Sequence, residues 1–283
     1  NRGYDFRHLF CGAEGTLGIV TAACLHLVPA AAARKTAWVG IDSPESALTL
    51  LRRLDAAIGR ELEGFELIPH DCLDAVLRHI PLTRAPLGVA QPWYALVELA
   101  GESDQALAEV LEDQLVAALE AGLVCDVAIA KNERESEDFW RLRDSISEAE
   151  RAEGPALQHD ISVPVDLMPA FIAENPLRLD ETFPGVRVLS SGHLGDGNVH
   201  HHVQPPAHVD GAAWLAEHGA TISRLVYSHV LDLGGSISAE HGIGQMKRDI
   251  LAELDSPARL AALRGVKAGL DPAGIFNPGK LIA

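Results

Sequence analysis

Apolar positions along the 283-residue chain fall into short alternating runs, separated by longer stretches with helical spacing. Residues 36–42 (TAWVGID) read as a strand and 43–58 as a helix, with Ser43 at the N-cap and Ala47, Leu50, Leu51, Leu54 and Ile58 on one face. The alternation continues: strands are predicted over 61–67, 93–100 and 123–130, and helices over 70–80, 103–121 and a long 133–152. Further on come a strand at 155–164, a helix at 165–174 behind Pro164, and strands at 186–192 and 199–203 flanking the turn-rich LGDGN. A long amphipathic helix spans 211–233, and 234–244 holds four glycines in eleven residues, which argues against regular structure. A last helix covers 256–268, and 271–280 (DPAGIFNPGK) is a turn-rich tail. Strands separated by helices in this way permit an antiparallel sheet with helices on one face, so the class is α/β or α+β.

Composition narrows the field. An apolar fraction of 47% and a charged fraction of 22% exclude disordered and fibrous classes. The net charge of −17 disfavours nucleic acid and anionic lipid as partners. The longest apolar stretch, 17–33, is interrupted by His26 and Pro29 and falls short of the roughly 20 residues that cross a bilayer. Cys11, Cys24, Cys72 and Cys125 form no CxxC pair and read as buried thiols in a reducing compartment, so a cytoplasmic location is expected. The opening NRGYDFR runs straight into a glycine-rich stretch without an initiator methionine, which reads as a chain beginning inside a domain.

Of thirteen histidines, His193, His200, His201 and His202 share one window. In GHLGDGNVH, the turn formers Gly195, Asp196, Gly197 and Asn198 would reverse the chain and set His193 and His200 opposite each other on adjacent strands, half of a zinc or manganese site. A hairpin carrying surface histidines satisfies the same pattern. In SAEHGIGQMK, Glu240 supplies an anionic third ligand, and His241 beside it a general base once Gly242 and Gly244 free the backbone from strand alternation. The bland reading is a glycine-rich cap with two solvated polar residues. In LFCGAEGTLGIVT, Gly12, Gly15 and Gly18 let backbone amides approach a phosphate or a flat ring, although the spacing alone shows only tight turns.

The ordered set CGAEGTLGIVT, GHLGDGNVHHHV, SAEHGIGQMK and DPAGIFNPGKL resembles the FAD-linked oxidases of the vanillyl-alcohol oxidase type. The likeness falls within the branch of D-2-hydroxyglutarate and D-lactate dehydrogenases and the glycolate oxidase flavin subunit. The resemblance implies an α+β fold, a ferredoxin-like antiparallel sheet cap covered by helices, with a remnant of an FAD-binding domain at both ends. Residues 1–33 would be the last piece of that FAD domain, 34–254 the substrate-binding cap, and 255–283 a segment returning to the flavin. It implies that Glu14, Gly15, Thr16, Gly18, Ile19 and Asn277 contact FAD, that His193, His200 and Glu240 hold a divalent metal, zinc or manganese, and that His241 is the catalytic base. Arg143 and Ser147 match the residues that bind a substrate carboxylate; their spacing of four puts both on one helical face, although a surface ion pair would explain the arginine equally. Two departures stand out: Gln158 replaces a lysine, and His202, placed among the substrate-binding residues, replaces an asparagine.

The implied activity is flavin- and metal-dependent oxidation of a D-2-hydroxy acid to the 2-oxo acid, with hydride passing to FAD and an electron acceptor the sequence does not name. A chain lacking most of the FAD domain would be inactive alone. The alternatives are a D-lactate or glycolate oxidase-type subunit, a metal-dependent enzyme without flavin, and a non-catalytic binding or assembly subunit. The expected partner is a small hydroxy acid, with neither nucleic acid nor membrane span, and a homodimer is one assembly open to it.

Overall fold

A computed structural model of the chain describes residues 3–282. In order the elements are α1 (Phe6–Phe10), β1 (Ala33–Ile41), α2 (Pro44–Ile58), β2 (Leu62–Pro69), α3 (His70–His79), β3 (Trp93–Gly101), α4 (Asp104–Glu120), β4 (Asp126–Ile129), α5 (Glu133–Asp144) and α6 (Ile146–Glu153). They continue with β5 (Leu157–Ser162), α7 (Met168–Thr182), β6 (Arg187–His193), β7 (Asn198–Gln204), α8 (Gly211–Asp232), α9 (Arg248–Leu254) and α10 (Pro257–Leu270). Two compact units result: Pro29–Ser236, and Asn1–Val28 together with Ile237–Ala283.

The larger unit is built on one seven-stranded sheet in the order β4-β1-β3-β2-β6-β7-β5, antiparallel at every pairing. Its first four strands have the 4-1-3-2 order of a ferredoxin-like split βαβ, extended at β2 by β6, β7 and β5. Helices start where short polar side chains can accept an orphan amide: Ser43, Ser103, Asn132 and Asp210 cap α2, α4, α5 and α8. One sheet face receives α2, α4, α7 and α8, and the other α3, α5 and α6. On the second face Trp38, Ile68, Tyr94, Leu96, Phe139 and Ile146 belong to one buried cluster. Burying apolar surface at about 25 cal/mol per Å² is what fixes α5 and α6 on this face, because α5 has few other apolar side chains.

Several expectations change. The helix expected over 133–152 is two helices, broken at Ser145, whose ψ of −6° tightens the turn so that Phe139 and Leu142 of α5 and Ile146 and Ala149 of α6 reach the same cluster. The helix expected at 165–174 runs on to Thr182 with Pro176 inside it. Helices α1 and α9 were not expected. Of the four cysteines only Cys72 is buried; Cys11, Cys24 and Cys125 are exposed. Among the described residues no helix is long and apolar enough to cross a membrane.

The face under α7 and α8 holds polar groups. His229 of α8 is 1% exposed, its Nδ1 3.0 Å from Asn175 Nδ2 and its ring against Phe171. Burial, and then the charge of Arg178, push this imidazole below its ordinary value, against the pull of Glu174 and Asp232. A lowered native pKa means that the unfolded chain binds the proton more tightly. The contribution is therefore complete above the ordinary imidazole pKa of about 6.5 and is lost as pH falls below it, with a slope of at most about 1.4 kcal/mol per pH unit. Denaturant midpoints measured from pH 7.5 to 5 should fall, and His229→Gln should flatten that fall; an unchanged pH profile in the variant would show that another group is responsible.

In the smaller unit, α10 is capped by Ser256, and Lys267 Nζ donates to Thr16 O at 2.6 Å and Phe276 O at 2.8 Å, tying the C-terminal tail to the N-terminal segment. The stretch 17–28 forms no regular element, and Ile19, Leu25, Leu27 and Val28 are exposed.

Candidate functional site

The hairpin β6-β7 carries the two histidines. Its four-residue turn, Leu194 to Gly197, closes with Gly197 N on His193 O at 3.0 Å and Asn198 N on Asp196 Oδ1 at 3.0 Å. That turn pairs His193 with Asn198 and His200 with Ser191, so the histidines are diagonal neighbours and not directly opposed as expected. Both still point to the same sheet face, because Ser191 and His193 are two residues apart. Their rings meet edge-on with centroids 5.5 Å apart, and each offers a nitrogen within 4.8 Å of the other's.

Glu66 organises this face. It sits opposite His193 in the β2-β6 register, is 4% exposed, and takes His193 Nδ1 on Oε1 at 2.6 Å and Arg143 Nε on Oε2 at 3.0 Å. Arg143 Nη2 lies 3.0 Å from His193 Nε2. A guanidinium only donates, so Nε2 is the acceptor and Nδ1 carries the proton given to Glu66. Burial alone would raise the Glu66 carboxyl; the hydrogen bond from His193 and the charge of Arg143 outweigh it and hold the group below the usual carboxylate range. An imidazole with Nδ1 anchored on a carboxylate and Nε2 presenting a lone pair is the arrangement that metal-binding histidines have behind them. Here that lone pair is taken by Arg143 Nη2, so Nε2 could serve a divalent ion only once the guanidinium turns away.

A cavity beside this network is lined by Arg143, Ser147, Glu150, Ser191, His200 and His202 among others. Arg143 and Ser147 lie on different helices, α5 and α6, yet share it. In the cavity wall, His202 Nδ1 is 2.5 Å from Glu150 Oε2, and behind it Cys72 Sγ donates to Glu150 Oε1 at 3.4 Å. Asp160 of β5 is buried and stands opposite His200 in register.

Sequence reasoning missed Glu66 and Glu150. Glu66 was visible as one charged position inside the apolar run 65–69, and Glu150 follows Arg143 by seven residues and Ser147 by three, the spacing of one helical face. His201 points to the opposite face, where Ser190 Oγ meets its Nδ1 at 2.8 Å, and burial pushes its pKa well down.

The remaining expected site residues lie in the smaller unit. Glu240 and His241 are exposed on the glycine-rich loop before α9. Glu14, with φ of 53°, anchors that loop: its carboxylate accepts Ile243 N and Gly244 N, both at 2.7 Å. Thr16 is buried with its hydroxyl on Ala13 O, and Asn277 Nδ2 donates to Glu14 O at 2.6 Å, so the C-terminal tail reaches the Glu14–Gly15 turn. With the side chains of Glu14 and Thr16 committed internally, Gly15 and Gly18 leave backbone as the surface this turn offers a cofactor. Ile19 is exposed.

Residues 30–281 match the family of FAD linked oxidases, C-terminal domain. The chain is 34% identical over 282 residues to the mitochondrial D-2-hydroxyglutarate dehydrogenase of Arabidopsis thaliana, covering 100% of this chain and 49% of that protein. It is 35% identical over 279 residues to the D-2-hydroxyglutarate dehydrogenase of Xanthomonas citri pv. viticola, covering 99% of this chain and 58% of that protein. It thus spans about half the length of these relatives. In fold it is similar to p-cresol methylhydroxylase, with a TM-score of 0.62 at 10% identity over 90% of this chain and 54% of that one. It is likewise similar to alkyldihydroxyacetonephosphate synthase, with a TM-score of 0.60 at 11% identity over 98% of this chain and 50% of that one. The match over residues 30–281 leads to one assignment: this chain belongs to the FAD linked oxidases, C-terminal domain.

Proposed function

We propose that this chain is the substrate-binding part of a flavin-dependent dehydrogenase that oxidises a D-2-hydroxy acid to the 2-oxo acid. The observation that carries the reading is the network in which Glu66 holds both Arg143 and His193 beside a cavity that also presents Ser147 and His200. Arg143 and Ser147 receive the substrate carboxylate, the guanidinium turning part of its fork from Glu66 to the acid. His193 and His200 supply two nitrogens of a divalent-ion site, zinc or manganese, and Glu240 is proposed as its third ligand. His241 takes the proton of the substrate hydroxyl, a role suited to an imidazole near neutral pH. Backbone of the Glu14–Gly18 turn, with Ile19 and Asn277, is proposed to face FAD. When bound, FAD supplies the two-electron acceptor and the ion supplies Lewis acidity toward the hydroxyl. The protein's share is placement: it fixes the acid so that its C2 hydrogen faces the acceptor.

The test has two readouts. Anaerobic addition of D-lactate, D-malate or D-2-hydroxyglutarate to the FAD-loaded enzyme should bleach the flavin's visible absorbance, and the L-enantiomers should not. Calorimetric titration with zinc or manganese should show one site per chain that His193→Ala abolishes. Metal uptake untouched by that substitution, or a flavin that none of these acids bleaches, would refute the reading.

A further inference from the structure

The loop that carries Glu240 and His241 is clasped by a side chain from the far end of the sequence. Glu14 lies in the turn after α1 with φ of 53°, a left-handed conformation that an L-residue keeps only where its contacts outweigh the cost. Both of its carboxylate oxygens are engaged: Oε1 accepts Ile243 N and Oε2 accepts Gly244 N, each at 2.7 Å. Successive backbone amides turned to one side form a concavity for such a group, and left-handed Gly242 (φ 76°) and Gly244 (φ 55°) on either side of Ile243 let the chain make it. The fit is close. A Cβ at Gly242 would stand 2.8 Å from Glu14 Oε1.

The same residue is tied on its backbone side. Asn277 Nδ2 donates to Glu14 O at 2.6 Å, and Leu281 N donates to Gly244 O at 2.9 Å, so turn, loop and C-terminal tail close on one another around Glu14. Within the loop, Ser238 Oγ donates to Gly242 O at 2.7 Å, which folds its first half back on the glycine that Glu14 approaches. The requirement this sets on position 14 is two acceptors at one spacing. Glutamine offers one acceptor and turns an NH2 against the other amide, a donor facing a donor.

We infer that Glu14 is a positioning residue: its carboxylate holds the loop so that Glu240 and His241 are presented in one arrangement, and the side chain takes no part in holding FAD. This rests on the proposed roles of Glu240 as ion ligand and His241 as base. It also departs from the direct flavin contact that the resemblance implies for Glu14, leaving that contact to the backbone of the turn.

The test uses the FAD-loaded enzyme with whichever of D-lactate, D-malate and D-2-hydroxyglutarate bleaches the flavin fastest. Glu14→Gln should lower kcat and calorimetric affinity for zinc or manganese by about tenfold or more, the scale of losing a group behind a metal ligand, while KM for the acid and FAD affinity stay within about twofold. A merely structural role would lower FAD affinity and thermal midpoint together and spare kcat per bound flavin. Gly242→Ala pushes the carboxylate off the loop from the other side, and the double variant should lose less than the product of the two single effects. Because either substitution can disturb folding, amide hydrogen exchange of the unaltered protein gives a reading without a variant: Ile243 and Gly244 should exchange about tenfold more slowly than Gly242. Equal rates for these three amides, FAD affinity falling as far as kcat, or ion affinity unmoved in a folded Glu14→Gln, overturns the inference while the oxidation itself stands. A flavin that no acid reduces would instead sink the oxidation, and hydrogen exchange in the loop would still decide whether Glu14 holds it.

Discussion

On the proposed function, Glu66→Ala should cost about 10- to 100-fold in kcat/KM and in divalent-ion affinity, the range seen when the carboxylate behind a metal-binding histidine is removed. The reason is that one buried carboxylate holds two groups. Its Oε1 fixes the Nδ1–H tautomer of His193, which leaves Nε2 as the acceptor that Arg143 Nη2 meets, and its Oε2 fixes Arg143. Removing it leaves a half-buried guanidinium without its main counter-charge and lets the imidazole rotate, two effects that act on one cavity and so do not add independently. Glu66→Gln separates them. The amide oxygen can still accept from His193, but its NH2 faces the Arg143 donors and the charge is gone, so substrate affinity should suffer more than ion affinity. Isothermal titration with zinc or manganese, with kcat and KM measured separately, checks both. Wild-type ion affinity in Glu66→Ala would show that His193 is oriented by something else.

What could be read before the structure follows from the range of the interactions concerned. Period-two and 3.6-residue patterning reports which local face is buried, and β1 to β3, α2 to α4 and α8 follow it closely. Strand order depends on pairings between distant segments, and nothing local marks β2 as the strand that β6 joins in the register Glu66–His193 and Leu67–Gly192. The break at Ser145 had no glycine or proline to announce it; packing both apolar faces on one cluster decides it. The same distinction applies to the site. His193 and His200 were legible because a turn of glycines brings near neighbours together, whereas the Glu66–His193 contact spans 127 residues and left only a charged residue in an apolar strand as a trace. Glu150 was within reach, one step further along the helical face that gave Arg143 and Ser147. The glycine-rich segment near the N-terminus announced turns, but not that Glu14 would spend its carboxylate on the backbone of the loop carrying Glu240 and His241.

The hairpin that aims the two imidazoles depends on glycine at Gly197, and Gly197→Ala should lower the stability of the larger unit by about 3–5 kcal/mol. Gly197 has φ of 81°, and a Cβ there would lie 2.1 Å from Val163 O, a backbone atom that cannot turn aside as a side chain would. The left-handed conformation alone costs an L-residue roughly 1–2 kcal/mol. The clash adds to this, because Gly197 O accepts Val163 N at 3.0 Å, so relieving the overlap breaks the bond that docks the turn on the end of β5. Taking roughly 2–4 °C per kcal/mol for a unit of this size, the thermal midpoint should drop by about 10 °C. Gly195→Ala in the same turn is the control: a Cβ there meets nothing within 4 Å, and its midpoint should stay within a degree or so of the parent. On the proposed metal site, ion affinity should follow the same division, falling in Gly197→Ala at temperatures where the chain is still folded and holding in Gly195→Ala, because His193 and His200 stay diagonal neighbours only while the turn keeps its register. Equal melting of the two variants would mean that the turn tolerates a side chain at Gly197 and that the histidine pair is held in place by the strands alone.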